Sequence, residues 1–175
     1  MTPPPYVLGV DTSVTGLREA DALLRDLAAG LGLPEDTVGC THLVRDADGG
    51  RPRMGLSLAT WSEAAAEDVR ARLTSRGHRV KDGAWDEAGR AVLYPGAAAL
   101  TGTLTVAELV ARSAIARVRV LGTADRPDPA TRVVTREFVR PRWQDGELVL
   151  AAMPAAGGTL VPFEVPDPTP CCADH

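Results

Sequence analysis

Residues 41–77 read THLVRDADGGRPRMGLSLATWSEAAAEDVRARLTSRG, and the fold is inferred from the way their pattern changes along the stretch. Thr41 to Asp46 is strand-like, Asp48-Gly49-Gly50 supplies a turn, and Met54, Leu56 and Leu58 then alternate with Arg53, Gly55 and Ser57. Successive strand side chains point to opposite faces, so this is a hairpin with one buried face. The period changes at Thr60. Thr60 and Glu63 stand at capping-box spacing ahead of Ala66, Val69 and Leu73, and Gly77 is placed to close the segment, which predicts a helix.

Toward the N-terminus, Tyr6 to Asp11 is an apolar run suited to a first strand. Leu17, Ala20, Leu24, Leu27, Ala28 and Leu31 follow at helical spacing, with Gly30, Gly32 and Pro34 as the stop. Toward the C-terminus a strand is expected between His78 and Tyr94, whole or divided at Asp82-Gly83 or around Gly89. The order β-α-β-β-α-β is that of ferredoxin-like α+β domains, in which an antiparallel sheet carries both helices on one face. Many unrelated functions share that arrangement, so it implies none of them.

Pro95 to Thr103, rich in Gly and Ala, reads as a boundary. Thr105 and Glu108 form a second capping-box pair, predicting a short helix from Val106 to about Ala114. The remainder is β-rich, with strands expected at 117–121, 132–139, 147–153 and 160–165 and turns at Gln144-Asp145-Gly146 and Gly157-Gly158. The expected organisation is a ferredoxin-like domain at 1–96, a short helix plus small sheet or barrel at 97–165, and a proline-stiffened tail at 166–175.

A chain of 175 residues, 45% hydrophobic and 24% charged, can bury a core of ordinary size. Aromatics are only 4%, so that core rests on Ala, Val and Leu, with Trp61, Trp85 and Trp143 as the few large pieces. A net charge of −4 argues against general nucleic-acid binding. No apolar run is long enough to span a membrane, and the start, MTPPPYVLGVDTS, has neither a basic nor a long apolar leader region. A cytoplasmic location is therefore expected. There, three cysteines are better suited to be free thiols or ligands than disulfides.

The soft ligands are Cys40, His42, His78, Cys171, Cys172 and His175, and five of them fall in two clusters. Thiolate and imidazole are the ligands that zinc, copper and iron prefer. Cys40 and His42, two apart on a strand, share a face, while Pro166, Pro168 and Pro170 stiffen the approach to Cys171, Cys172 and His175. The leading expectation is a transition-metal-binding or accessory protein that uses these five residues. The first alternative is a metal-free interaction or small-ligand module whose Arg132, Arg136, Arg140 and Arg142 hold an anion, with Phe138 and Trp143 available to stack. The second is an enzyme with Cys171 or Cys172 as nucleophile and His175 or His42 as base. A homodimer through exposed sheet is expected by analogy of fold. The chain carries no P-loop, dinucleotide fingerprint, GxSxG or HExxH motif.

Overall fold

The computed structural model describes residues 4–45 and 49–166. The described residues are α+β, with three α-helices and one hydrogen-bonded sheet of eleven strands. In the first half β1 (Tyr6–Val10) leads into α1 (Leu17–Leu31), the pair β2 (Val38–Val44) and β3 (Arg53–Thr60), α2 (Glu63–Ser75) and β4 (Val80–Asp82). These strands lie in the order β4-β1-β3-β2, with every neighbouring pair antiparallel. Sequence-adjacent strands are thus separated where a helix intervenes and paired where a hairpin joins them.

Both helices cover the same face. Leu8 and Val10 of β1, Met54, Leu56 and Leu58 of β3, Ala20, Leu24, Leu27 and Leu31 of α1, and Val69 and Leu73 of α2 form one buried cluster. The 3.6-residue period accounts for the α1 contributors, although Leu17 at its start is exposed. Each fully buried Leu contributes about 1.5–3 kcal/mol. Gly32 ends α1 in the left-handed conformation. α2 closes in a Schellman motif, in which the Gly77 N–H donates to the Thr74 carbonyl and the His78 N–H to that of Leu73. Its N-cap is Ser62, whose hydroxyl accepts from the Ala65 N–H at 3.3 Å. The expected Thr60/Glu63 box does not form, because β3 runs through Thr60 and the helix begins two residues later than that pairing requires.

β5 (Arg90–Leu93) joins the free side of β2, and through it the sheet continues into the second half. There β6 (Thr103–Thr105), α3 (Val106–Ala111), β7 (Ile115–Val120), β8 (Arg132–Val134), β9 (Arg142–Gln144), β10 (Glu147–Ala155) and β11 (Thr159–Pro162) follow in turn. The spatial order is β5-β9-β10-β11-β8-β6, with β7 parallel to β10. Thr105 and Glu108 do form a capping box: the Glu108 N–H donates to Thr105 Oγ1 at 3.1 Å, and the Thr105 N–H donates to Glu108 Oε2 at 2.8 Å. β8 stops short of the expected 132–139 because Arg136 and Glu137 take φ of 53° and 55°. The second half packs on the face of the first that the helices leave bare. Val38, Cys40, Ala59 and Ala91 there share a cluster with Leu109, Ile115, Leu148 and Leu150.

β2 meets β5 with a bulge between Gly39 and Cys40, so Leu93 opposes Gly39 while Ala91 opposes Cys40. Val92 and Leu93 consequently both pack on the helix side. Among the described residues, no helix is long and apolar enough to cross a membrane.

Candidate functional site

The two faces of β2 hold two polar assemblies. On the helix side, Arg90 of β5 donates to Asp21 of α1, to Thr41 Oγ1 at 3.3 Å and to Glu164. Arg140 Nε donates to Asp21 Oδ2 at 3.0 Å, and Arg142 reaches Glu164 Oε1 at 3.0 Å. Asp21, Arg90 and Arg140 are each exposed by less than a tenth. Burial works against the charge of both arginines. Two carboxylates overcome it at Arg90, whose pKa is raised, whereas Arg140 has only Asp21 and sits beside Arg90, so its pKa is lowered. Phe138 lies 4.1 Å beneath the Arg140 guanidinium. Of the arginines expected to hold an anion, Arg140 and Arg142 are thus engaged by carboxylates of the chain itself, while Arg132 and Arg136 are exposed.

On the opposite side, Cys40, His42, Ser57, Ala59 and Trp143 line a cavity of about 510 Å3 between the two halves. His42 pairs with Gly55 and Cys40 with Ser57 across the β2–β3 ladder, which sets His42 diagonal to Ser57 on one face. His42 Nε2 lies 2.7 Å from Ser57 Oγ, and its Nδ1 lies 3.0 Å from Asp86 Oδ1. His42 and Ser57 are exposed by only 3% and 4%, so both depend on these bonds for their polar groups.

The proton positions follow from the partners. A carboxylate only accepts, so Nδ1 bears the hydrogen and donates to Asp86. Burial holds the imidazole below its usual pKa despite the opposing pull of Asp86, which leaves His42 neutral. Its Nε2 is then a bare acceptor, and the Ser57 hydroxyl donates to it. This is the order of groups that makes a serine hydroxyl nucleophilic.

Two glycines make room for the arrangement. A Cβ at Gly89 would stand 2.7 Å from His42 Cε1 and 3.0 Å from the Cys40 Cβ, so any side chain there would displace the ring. A Cβ at Gly55 would stand 2.5 Å from the indole nitrogen of Trp85. That indole lies against β3 with its N–H donating to the Leu56 carbonyl at 3.0 Å, and Lys81 sits 4.1 Å over its ring. Trp85 thereby anchors the 83–89 loop that carries Asp86. The Ala88 N–H, donating to Asp86 Oδ1 at 2.9 Å, aims the carboxylate.

Cys40 is a thiol here. Burial pushes its pKa up to about 12, although the Trp143 indole and the Ser57 hydroxyl lie within hydrogen-bonding reach of its sulfur. It adds polarizable bulk to the cavity floor and is a poor nucleophile. Among the described residues no group of three His, Cys, Asp or Glu is placed to hold a metal ion. Cys171, Cys172 and His175 lie outside the described residues. Near the end of those residues Pro166 accepts from Arg18 of α1 at 3.0 Å, on the helix side of the sheet. A second cavity, about 540 Å3 beside β1 and α2, is lined by Glu63, Glu67, Arg70 and Asp82 and, among the described residues, by no Ser, Cys or His.

Comparison with protein-family models, with curated proteins and with solved structures finds no match to this chain. The functional reading therefore rests on the site's own chemistry.

Sequence reasoning reached Cys40 and His42 and placed them on one face, but it missed Ser57 and Asp86. The available signal for Ser57 was its position in the hairpin alternation, on the same face as Gly55. Asp86, three residues before Gly89, carried the spacing of an Asx turn followed by a close approach of backbone.

Proposed function

We propose that the cavity is an acyl-transfer or hydrolase site in which Ser57 is the nucleophile, His42 the general base and Asp86 the group that orients it. The observation that carries this is the unbroken hydrogen-bond series Ser57–His42–Asp86 facing a cavity large enough for a small molecule. In the first step Ser57 Oγ forms a bond to the substrate's carbonyl carbon, its proton passes to His42 Nε2, and the carbonyl π pair moves onto oxygen. As that pair returns, the bond to the leaving group breaks and His42 delivers the proton to it. Water then repeats both steps on the acyl-serine, releasing the acid and restoring Ser57. Asp86 holds the Nδ1–H tautomer and stabilises the imidazolium that forms between steps.

A fluorophosphonate that phosphonylates activated serines tests this directly. Ser57 is expected to carry the label, located by peptide mass spectrometry, with none in Ser57→Ala and a strongly slowed reaction in His42→Gln. Absence of label at Ser57 in folded protein, or an equal rate in His42→Gln, would refute the assignment.

A second reading is transition-metal binding, zinc, copper or iron, by Cys171, Cys172 and His175 with Cys40 and His42 completing the set. It is favoured by the position of Cys40 and His42, side by side on one face of β2 and lining one cavity. Elemental analysis decides it: metal content unchanged by Cys171→Ser/Cys172→Ser ends it. At the level of architecture, the β4-β1-β3-β2 order with two helices on one face supports a ferredoxin-like first half.

A further inference from the structure

We infer that the Ser57 site takes esters or amides whose leaving portion carries a cation, a primary amine or a quaternary ammonium. The inference rests on the reading of Ser57 as nucleophile and adds the substrate class. The charge of the lining is its basis. The chain has 19 Lys and Arg, yet none lines this cavity, whereas Asp86, Glu87 and Asp145 all do. Asp86 is committed to His42 and the Ala88 N–H. Glu87 and Asp145 are exposed and, among the described residues, have no hydrogen-bond or ion-pair partner.

These two carboxylates reach the rim from different parts of the fold, Glu87 from the 83–89 loop and Asp145 from the turn between β9 and β10. Asp145 and Gly146 are held there in left-handed conformation, with φ of 52° and 80°. Both carboxylates make the potential at the cavity negative, which favours a cation there. Trp143 adds an aromatic wall, whose ring quadrupole attracts ammonium groups. Deeper in, Val7, Cys40 and Ala59 leave an apolar floor for a short acyl chain beside Ser57. An anionic substrate would meet three carboxylates in the lining and no Lys or Arg there, the nearby Lys81 being seated over Trp85, so the lining discriminates against it.

Acetylcholine and 3,3-dimethylbutyl acetate have the same shape and differ by the positive charge. The wild-type chain is expected to cleave acetylcholine with kcat/KM roughly tenfold or more above the neutral ester, and Glu87→Gln/Asp145→Asn to bring the two within about twofold of each other. Binding is read separately in Ser57→Ala, which cannot turn over either ester. There choline is expected to quench tryptophan fluorescence saturably while 3,3-dimethylbutanol does not, and the double substitution to abolish the quench. Equal kcat/KM for the two esters, or equal binding of choline and its neutral analogue, overturns the inference. If neither ester is cleaved but choline still binds selectively, the cation site stands and the Ser57 reading falls; if choline does not bind either, the cation site falls with it.

Discussion

Gly89→Ala isolates the placement of His42 from its chemistry. The backbone at Gly89 is not left-handed, so alanine can adopt it, and the substitution acts through its methyl group alone. That methyl would lie 2.7 Å from His42 Cε1. Carbon pairs settle at about 3.5 Å or more, so the ring must give way by about 0.8 Å. The Ser57–His42 bond is 2.7 Å and cannot absorb such a shift. At about 3.5 Å it is no longer a hydrogen bond. Misplacement of that size costs a reaction on the order of 10²-fold, while overpacking costs the fold about 1–3 kcal/mol. The expected result is a folded protein with a lowered melting point whose Ser57 reacts with fluorophosphonate about 10²-fold more slowly. Gly16→Ala is the control, since its Cβ would meet nothing within 4 Å, and it should label at the wild-type rate. If Gly89→Ala labels as fast as wild type, the imidazole is not positioned by that contact and the reasoning fails.

Three further outcomes are expected. Asp86→Asn keeps the shape but presents a neutral amide to Nδ1, so the tautomer is no longer fixed, and serine labelling should fall by roughly 10²–10⁴-fold with little change in urea midpoint; an unaltered rate counts against Asp86 as the orienting group. Asp21→Asn removes the carboxylate that neutralises two buried arginines, and a loss of about 3–5 kcal/mol is expected in urea unfolding; a loss under about 1 kcal/mol contradicts the account of the buried network. The lowered pKa of His42 gives the third. Its neutral form contributes stability that is present above the unfolded-state value of about 6.5 and is lost as pH falls through that value toward the folded one, so the stability gap between wild type and His42→Gln should narrow between pH 7.5 and pH 5, and a gap that widens refutes the burial argument.

The features legible in the sequence are those with local causes. Apolar spacing placed α1, hairpin alternation placed β2 and β3, Thr105 and Glu108 announced α3, and Asp145-Gly146 marked the turn before β10. Ser62 was overlooked as an N-cap because Thr60 stood at better box spacing, and only the length of β3 decides between them. β6 and β9 escaped notice for a different reason: each is three residues long, and each is a strand by virtue of what it pairs with. The site depends on such pairings almost entirely. His42 invited a metal reading because cysteine was its nearest chemical neighbour in sequence, whereas Ser57 and Asp86 stand 15 and 44 positions away. Only the register of β2 against β3 and the seating of Trp85 on Gly55 bring them to its two nitrogens.

One strand mediates between the buried charges and the proposed chemistry. Cys40 and His42 of β2 face the cavity, while Thr41 between them faces Arg90 on the other side of the sheet. Arg90 belongs to β5 and pairs with Thr41, next to the Ala91–Cys40 pair, so one residue of the β2–β5 ladder is also the centre of the Asp21–Glu164 network. Because β2 is held by its seven pairs with β3, a slip of one residue in the β2–β5 register would turn β5, carrying Arg90 away from the helix side. It would also part Arg90 from Asp21 and Glu164 in a buried setting, leaving Asp21 to Arg140, and breaking a buried pair costs several kcal/mol. The arginine network therefore has a positional role, holding β5, and with it Gly89 and the loop that carries Asp86, in place beside His42. Accordingly, Asp21→Asn should slow Ser57 labelling as well as lower stability, although Asp21 never faces the cavity.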